Sequence, residues 1–101
     1  MSEANLHNAN LSASDLIETR FIGANLANAN LSGANLIEAK LAFSDLRGAN
    51  LADADLSGAD LTGANLMDAN VRGATLNWAR LDDALITKEQ LSMVKSRLEE
   101  R

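Results

Sequence analysis

The chain contains no cysteine, no proline and no tyrosine, and only two Phe, one Trp and one His among 101 residues. Without cysteine it has no disulfide framework and no thiolate-based zinc, haem or redox site. No run approaches the roughly 18 apolar residues that a membrane-spanning helix needs. The opening Met-Ser-Glu-Ala-Asn has neither a basic segment nor an apolar core, so nothing reads as a signal peptide and a cytoplasmic location is expected. The length allows one domain. Yet 47% of the residues are hydrophobic, mostly Leu and Ala. An apolar content this poor in aromatics directs attention to internal repeats.

The repeat is five residues long. Leu stands at 6, 11, 16, 26, 31, 36, 41, 46, 51, 56, 61, 66, 76 and 81, with Phe21 and Val71 filling the two gaps. Sixteen consecutive steps therefore carry a large apolar residue at one phase, here called the centre. Two residues earlier stands Ala in 13 steps, with Ser14, Thr19 and Ser44 as small exceptions. Immediately before the centre stands Asn or Asp in 12 steps, the departures being Arg20, Lys40, Thr75 and Arg80. All six Gly fall two residues after a centre.

Small, polar, large is the alternation of a strand, with the small and large residues inside and the polar one outside. Three residues are too few for an ordinary strand, so the chain must turn at once. Gly at the corner supplies the positive φ of a type II turn, and Asn8, Asn28, Asp53, Asp68 and Asp83 tolerate it. Ala13, Glu18, Glu38, Phe43 and Trp78 tolerate it poorly, so a different turn type is expected at those corners. Residues 4–23 and 24–43 match at 11 of 20 positions, which predicts four steps per coil and about four coils. Successive coils would stack at strand spacing, roughly 4.8 Å. A helix is excluded: five-residue spacing rotates the Leu stripe about 140° per step and scatters it around the cylinder.

The run Ala-(Asn/Asp)-Leu-x-x, unbroken over residues 4 to about 86, resembles the pentapeptide-repeat proteins. The resemblance implies an all-β solenoid: a right-handed, four-sided β-helix. The family is abundant in cyanobacteria and occurs in other bacteria and in plant plastids, which leaves a processed plastid or lumenal form open. Many members have no assigned activity. Others bind DNA gyrase by imitating duplex DNA.

Two segments are expected: the β-helix over 1–86 and a C-terminal capping α-helix within 87–101. Thr87 and Gln90 read as a capping box, Ile86 and Leu91 occupy its staple positions, and Leu91, Val94 and Leu98 share one face of a helix over roughly 88–99. At the other end nothing helical or charged covers the first coil. Leu6, Leu11, Leu16 and Phe21 are expected to present apolar tops there, beside open strand edges. That end is a candidate contact for a second copy, head to head.

Function on a solenoid lies in its outward columns. Asn10, Asn30, Asn50 and Asn70 form an unbroken column, expected to hydrogen-bond along its length. Ile17, Ile22, Ile37 and Phe43 suggest an apolar interaction surface on the first coils. Arg20, Lys40, Asp60 and Arg80 form a mixed column, and Glu18 and Glu38 a short acidic one, both read as solvated charge. Asp53 with Asp55, and Asp82 with Asp83, lack the spacing of a calcium loop, so no metal site is assigned. His7 is the sole histidine and no nucleophile, phosphate-binding or dinucleotide motif is present. No catalytic residue and no cofactor are expected.

These features favour a non-enzymatic structural or interaction scaffold with an unknown protein partner, and neither a nucleic acid nor a membrane as partner. The alternative is a DNA mimic that binds gyrase. Residues 1–86 hold eleven acidic and five basic residues, a net charge of −6. Duplex DNA carries a charge per ~1.7 Å, so roughly 19 Å of solenoid would need about 11. The known gyrase binders are also longer, and dimerise through their C-terminal ends. An ice-binding face would need rows of Thr, which occurs only at 19, 62, 75 and 87.

Overall fold

The structure, a computed structural model, describes residues 3–98. Met1, Ser2 and residues 99–101, which the expected segments include, lie outside the described residues. The chain winds in coils of 20 residues. Thirteen parallel bridges join residues 20 apart, from Asn5 with Asn25 to Asn65 with Leu85. Four bridging positions fall on each coil, one per pentapeptide. The first side is centred on Leu6, Leu26, Leu46 and Leu66, and the second on Leu11, Leu31, Leu51 and Val71. The third is centred on Leu16, Leu36, Leu56 and Leu76, and the fourth on Phe21, Leu41, Leu61 and Leu81. Every centre from Phe21 to Leu76 is buried, as are the Ala residues two positions before a centre from Ala24 to Ala74. Ser44 fits an Ala slot because its hydroxyl donates to the Leu41 carbonyl at 2.7 Å.

The five-residue unit uses each of its five amides differently, as the second side of the first two coils illustrates. Ala9 N–H closes a turn on the Leu6 carbonyl at 3.0 Å. In the coil below, Asn30 N–H reaches back to the Ala9 carbonyl at 2.8 Å, while Leu11 N–H and Ala13 N–H donate forward to Asn30 and Ser32. That leaves Ser12 N–H, and the Asn10 side-chain oxygen accepts it at 3.1 Å. The same bond forms at all twelve Asn or Asp positions, from Asn5 to Asn70. The Asn column therefore bonds within each turn rather than along its length as expected. The pattern also disfavours proline, since in the regular step each of the five amides has an acceptor.

The corners depart from expectation. Ala13, Glu18, Glu38, Phe43 and Trp78 all adopt φ between +54° and +60°, the same left-handed conformation as the Gly, Asn and Asp corners. One turn type serves them all. The left-handed region costs a non-glycine residue about 1–2 kcal/mol. Three inter-coil hydrogen bonds per pentapeptide hold the backbone to the stack and outweigh that cost.

The C-terminal segment also differs. Helix α1 spans only Lys88–Met93, with the capping box formed by Thr87 and Gln90 as the spacing predicts. The expected helix over roughly 88–99 does not continue past Met93 among the described residues. The chain instead turns extended, and Ser96 bridges to Thr75. Lys95 N–H donates to the Ala74 carbonyl and Leu76 N–H to the Ser96 carbonyl, both at 2.7 Å. Two residues thus stand opposite one, as in a β-bulge. Leu91 and Val94 pack on the core, whereas Leu98 lies exposed. Gln90 spends its backbone amide on the cap, and its side-chain amide takes over the coil's bonding: Nε2 donates to the carbonyls of Leu66 at 2.7 Å and Ala69 at 3.1 Å.

Candidate interaction surface

Ile17 and Ile37 stand at the corner where the third side ends. Ile22 and Phe43 stand at the next corner, where the fourth side ends. Ile17 and Phe43 are 45% and 67% exposed, and Ile22 and Ile37 are half-buried. The structure therefore places the four residues on both edges of the fourth side rather than in one patch. Between them runs the outward column Arg20, Lys40, Asp60, Arg80, joined residue to residue by inter-coil bridges.

At the N-terminal end, Leu6, Leu11 and Leu16 are half-buried and pack against the core. Phe21 does not contribute an exposed top. It is fully buried, and its ring belongs to the core on which the other first-coil centres sit. Among the described residues the backbone amides of Asn5, Asn10 and Asp15, which on lower coils reach back to the coil above, have no partner.

The charged columns differ in kind. Arg47 grips Asp45 through two contacts at 2.9 and 2.7 Å, and this hydrogen bonding holds the Asp45 carboxyl below its ordinary range against the opposing effect of burial. On the fourth side, burial pushes the Asp60 carboxyl up. The Thr62 hydroxyl and amide, with the charges of Arg80 and Lys40, outweigh it and leave the carboxyl below its ordinary value. Arg80 approaches Asp82 only at 3.8 Å, with both exposed. Arg20 and Lys40 form no ion pair among the described residues.

The four steps without Asn or Asp expose what sequence reasoning missed. The amides that the missing oxygen would accept belong to Ile22, Ala42, Asn77 and Asp82. None of the four has an acceptor among the described residues. Three of them lie on the fourth side, beside Arg20, Lys40 and Arg80. The sequence signal was present in the departures from Asn/Asp, but its meaning required the bonding pattern of the unit.

Every buried side-chain polar atom among the described residues has a hydrogen-bond partner. No group of three or more His, Asp or Glu among them is placed to hold a metal. A small cleft of about 160 Å³ lies between α1 and the second side, lined by Asn70, Arg72, Glu89, Gln90 and Met93 among others. That is below the ~300 Å³ at which small-molecule pockets begin. No helix among the described residues is long and apolar enough to cross a membrane.

This architecture is a right-handed β-helix built from five-residue steps, the fold shared by the solved proteins it resembles. The sequence signature described as pentapeptide repeats, in eight copies, matches residues 4–42, 14–51 and 44–83, and the chain belongs to that family. A pentapeptide repeat protein, Rfr23, from the cyanobacterium Cyanothece 51142 is 34% identical with a TM-score of 0.65, over 99% of this chain and 63% of that one. The chain thus spans 63% of that protein's length. A second, alr5209 from Nostoc PCC 7120, is 34% identical with a TM-score of 0.54, over 91% of this chain and 84% of that one. No curated protein matches the sequence.

Proposed function

We propose that this protein is a non-enzymatic interaction scaffold: a four-sided prism of about four coils, closed at its C-terminal end by α1 and the strand that follows, which displays fixed columns of side chains to a protein partner. The observation that carries this reading is the division of labour in the chain. Among the described residues the interior is filled by Leu and Ala, while Ile17 and Phe43 are held exposed on either edge of one charged side. Large apolar side chains held at fixed spacing on a rigid sheet suit contact with another protein surface. The test is affinity capture from the source organism with wild-type chain and with Ile17→Asp plus Ile37→Asp. Retention of a partner by the wild type and its loss in the variant is expected. Absence of any retained partner overturns the scaffold, and equal retention by the variant overturns this placement.

The first coil supports association with a second copy. The unpartnered amides of Asn5, Asn10 and Asp15, with the half-buried Leu6, Leu11 and Leu16, form an edge that a second copy can pair with head to head. A monomeric mass by light scattering at tens of micromolar overturns that contact. Gyrase-directed DNA mimicry has weaker support. Asp45 is neutralised by Arg47, and Asp60 is stacked between Lys40 and Arg80, so these columns do not present continuous anionic rows. Unchanged gyrase supercoiling at high micromolar protein is the expected result.

A further inference from the structure

We infer that Arg20 and Lys40, with the unclaimed amides of Ile22 and Ala42, form a docking face for the carboxylates of an acidic segment in a partner protein. This rests on the scaffold reading and names the chemistry of its partner. The basis is a rule and its exceptions. Twelve turns fill the fifth amide with a side-chain oxygen of their own. At Arg20 and Lys40 that oxygen is replaced by a cation, and the amide two residues on is left without an acceptor. Ala42 is only 9% exposed, where an unmet amide is costly. The substitution also stacks two like charges on directly bridged residues, a destabilising arrangement across strands. Neither change gives its own turn an internal bond: Lys40 favours the ionised Asp60 one coil below, and Arg20 forms no ion pair among the described residues. A bound carboxylate repairs both, because its oxygen meets the amide and its charge lies between the cations.

The same side already contains the bound state in miniature. Asp60 stands one coil below Lys40 and one above Arg80. Its carboxylate accepts the Thr62 amide at 3.0 Å and the Thr62 hydroxyl at 2.5 Å, and its ionised form is favoured there. At the Arg20 and Lys40 turns the corresponding oxygen must come from outside. The two positions lie one coil apart, roughly 4.8 Å, so a segment carrying two neighbouring acidic side chains fits them. Ile22, Ile37 and Phe43 flank these positions and offer apolar contact to residues beside the acids. The remainder of the chain is acidic, with a net charge of −5 overall, so an acidic segment is directed toward this side and away from the rest.

The test uses the full chain labelled with ¹⁵N and a fluorescein-labelled decapeptide of alternating Glu and Leu, with a Gln-and-Leu peptide as control. The Glu peptide is expected to shift the Ile22 and Ala42 amide protons downfield and to bind more weakly as salt rises. The Gln peptide is expected to leave them unmoved. Arg20→Asn plus Lys40→Asn restores the oxygen that the other turns use, so the fold is kept while the site is filled internally. Affinity should fall about tenfold or more with these charge-assisted bonds removed. Arg47→Asn plus Arg72→Asn removes the same charge from other sides and should leave binding within about twofold of wild type, by the screening of distant exposed charges. Amides at Ile22 and Ala42 that do not respond overturn the inference, as does equal loss in both double variants. Capture of a partner by wild-type chain with those amides unmoved overturns this face alone, whereas the scaffold reading fails on capture itself.

Discussion

The corner glycines provide a measurable separation of backbone strain from side-chain contact. Gly33 and Gly63 have nearly the same conformation, φ +66° and +67°. A Cβ at Gly33 would meet nothing within 4 Å, because the residue above it in the corner column is Ala13. A Cβ at Gly63 would lie 2.5 Å from two ring atoms of Phe43, the residue above it in its own column. Gly33→Ala therefore incurs only the left-handed penalty of about 1–2 kcal/mol. The stiffer unfolded chain offsets about 0.4–1 kcal/mol of that, leaving a net destabilisation of about 0.5–1 kcal/mol. Gly63→Ala adds displacement of the Phe43 ring. That ring is 67% exposed and swings outward into solvent. What is lost is roughly a third of the ~1.5–3 kcal/mol for a fully buried Phe, about 0.5–1 kcal/mol more. Urea unfolding followed by far-UV circular dichroism measures both, and Phe43→Ala closes a double-mutant cycle. In the Phe43→Ala background the two glycine substitutions should cost the same. Equal costs in the wild-type background would refute the ring contact, and a stabilising Gly33→Ala would refute the strain argument.

Arg80→Asn should restore an acceptor for the Asp82 amide and stabilise the chain by about 0.5–1.5 kcal/mol, because the Arg80 contact to Asp82 that it removes is long and exposed. A lower urea midpoint would contradict this. Gln90→Ala removes the side-chain donor to the Leu66 and Ala69 carbonyls and the acceptor of the Thr87 amide. A loss of about 1–3 kcal/mol is expected for groups left unpaired, read as a lower midpoint. Asp45 is held below its ordinary 3.8 by its hydrogen bond to Arg47. That contribution is complete above the unfolded value and disappears as pH falls through the lower folded one. Arg47→Gln should accordingly raise the Asp45 midpoint seen by NMR, and its stability deficit relative to wild type should close in acid.

The five-residue spacing of Leu and Ala was enough to read the coil, its 20-residue register and the identity of the buried column, because one residue type at one phase repeats without interruption. The corners were misread because propensity was weighed one residue at a time. Phe43 and Trp78 resist positive φ locally, but each corner is bonded into the stack on both sides. The helix was read too long for a related reason. Leu91, Val94 and Leu98 have helical spacing, yet the Ala74 carbonyl and the Leu76 amide offer an open edge, and pairing with it displaces further helix. Phe21 looked terminal from its place in the sequence and is interior in space. The apolar residues of the candidate surface were visible as outward phases. The open amides at Ile22 and Ala42 were not, because an absent hydrogen bond becomes visible only when the bonding of the whole unit is known.

The four departures from Asn/Asp do not have one explanation. Thr75 lies where the C-terminal strand joins the last coil: Ser96 bridges to it. Its turn partner Asn77 uses its side-chain oxygen to accept the Ser96 hydroxyl at 2.7 Å and the Leu98 amide at 2.9 Å. That exception belongs to the closure of the stack, where a β-branched residue suits the added strand pair. Among the described residues, Arg20, Lys40 and Arg80 adjoin no such join. They share one side, each forgoes the same internal bond, and each places a cation where the repeat otherwise places an acceptor. In a chain of near-identical steps, packing explains the rule; at the exceptions a turn's own bond is given up, Lys40 and Arg80 favour the ionised Asp60 between them, and Arg20 forms no ion pair among the described residues. Asp60 interrupts the cations and divides that side. Arg20 and Lys40 remain as the adjacent pair with no carboxylate of the chain's own between them, bordered by the exposed apolar corners.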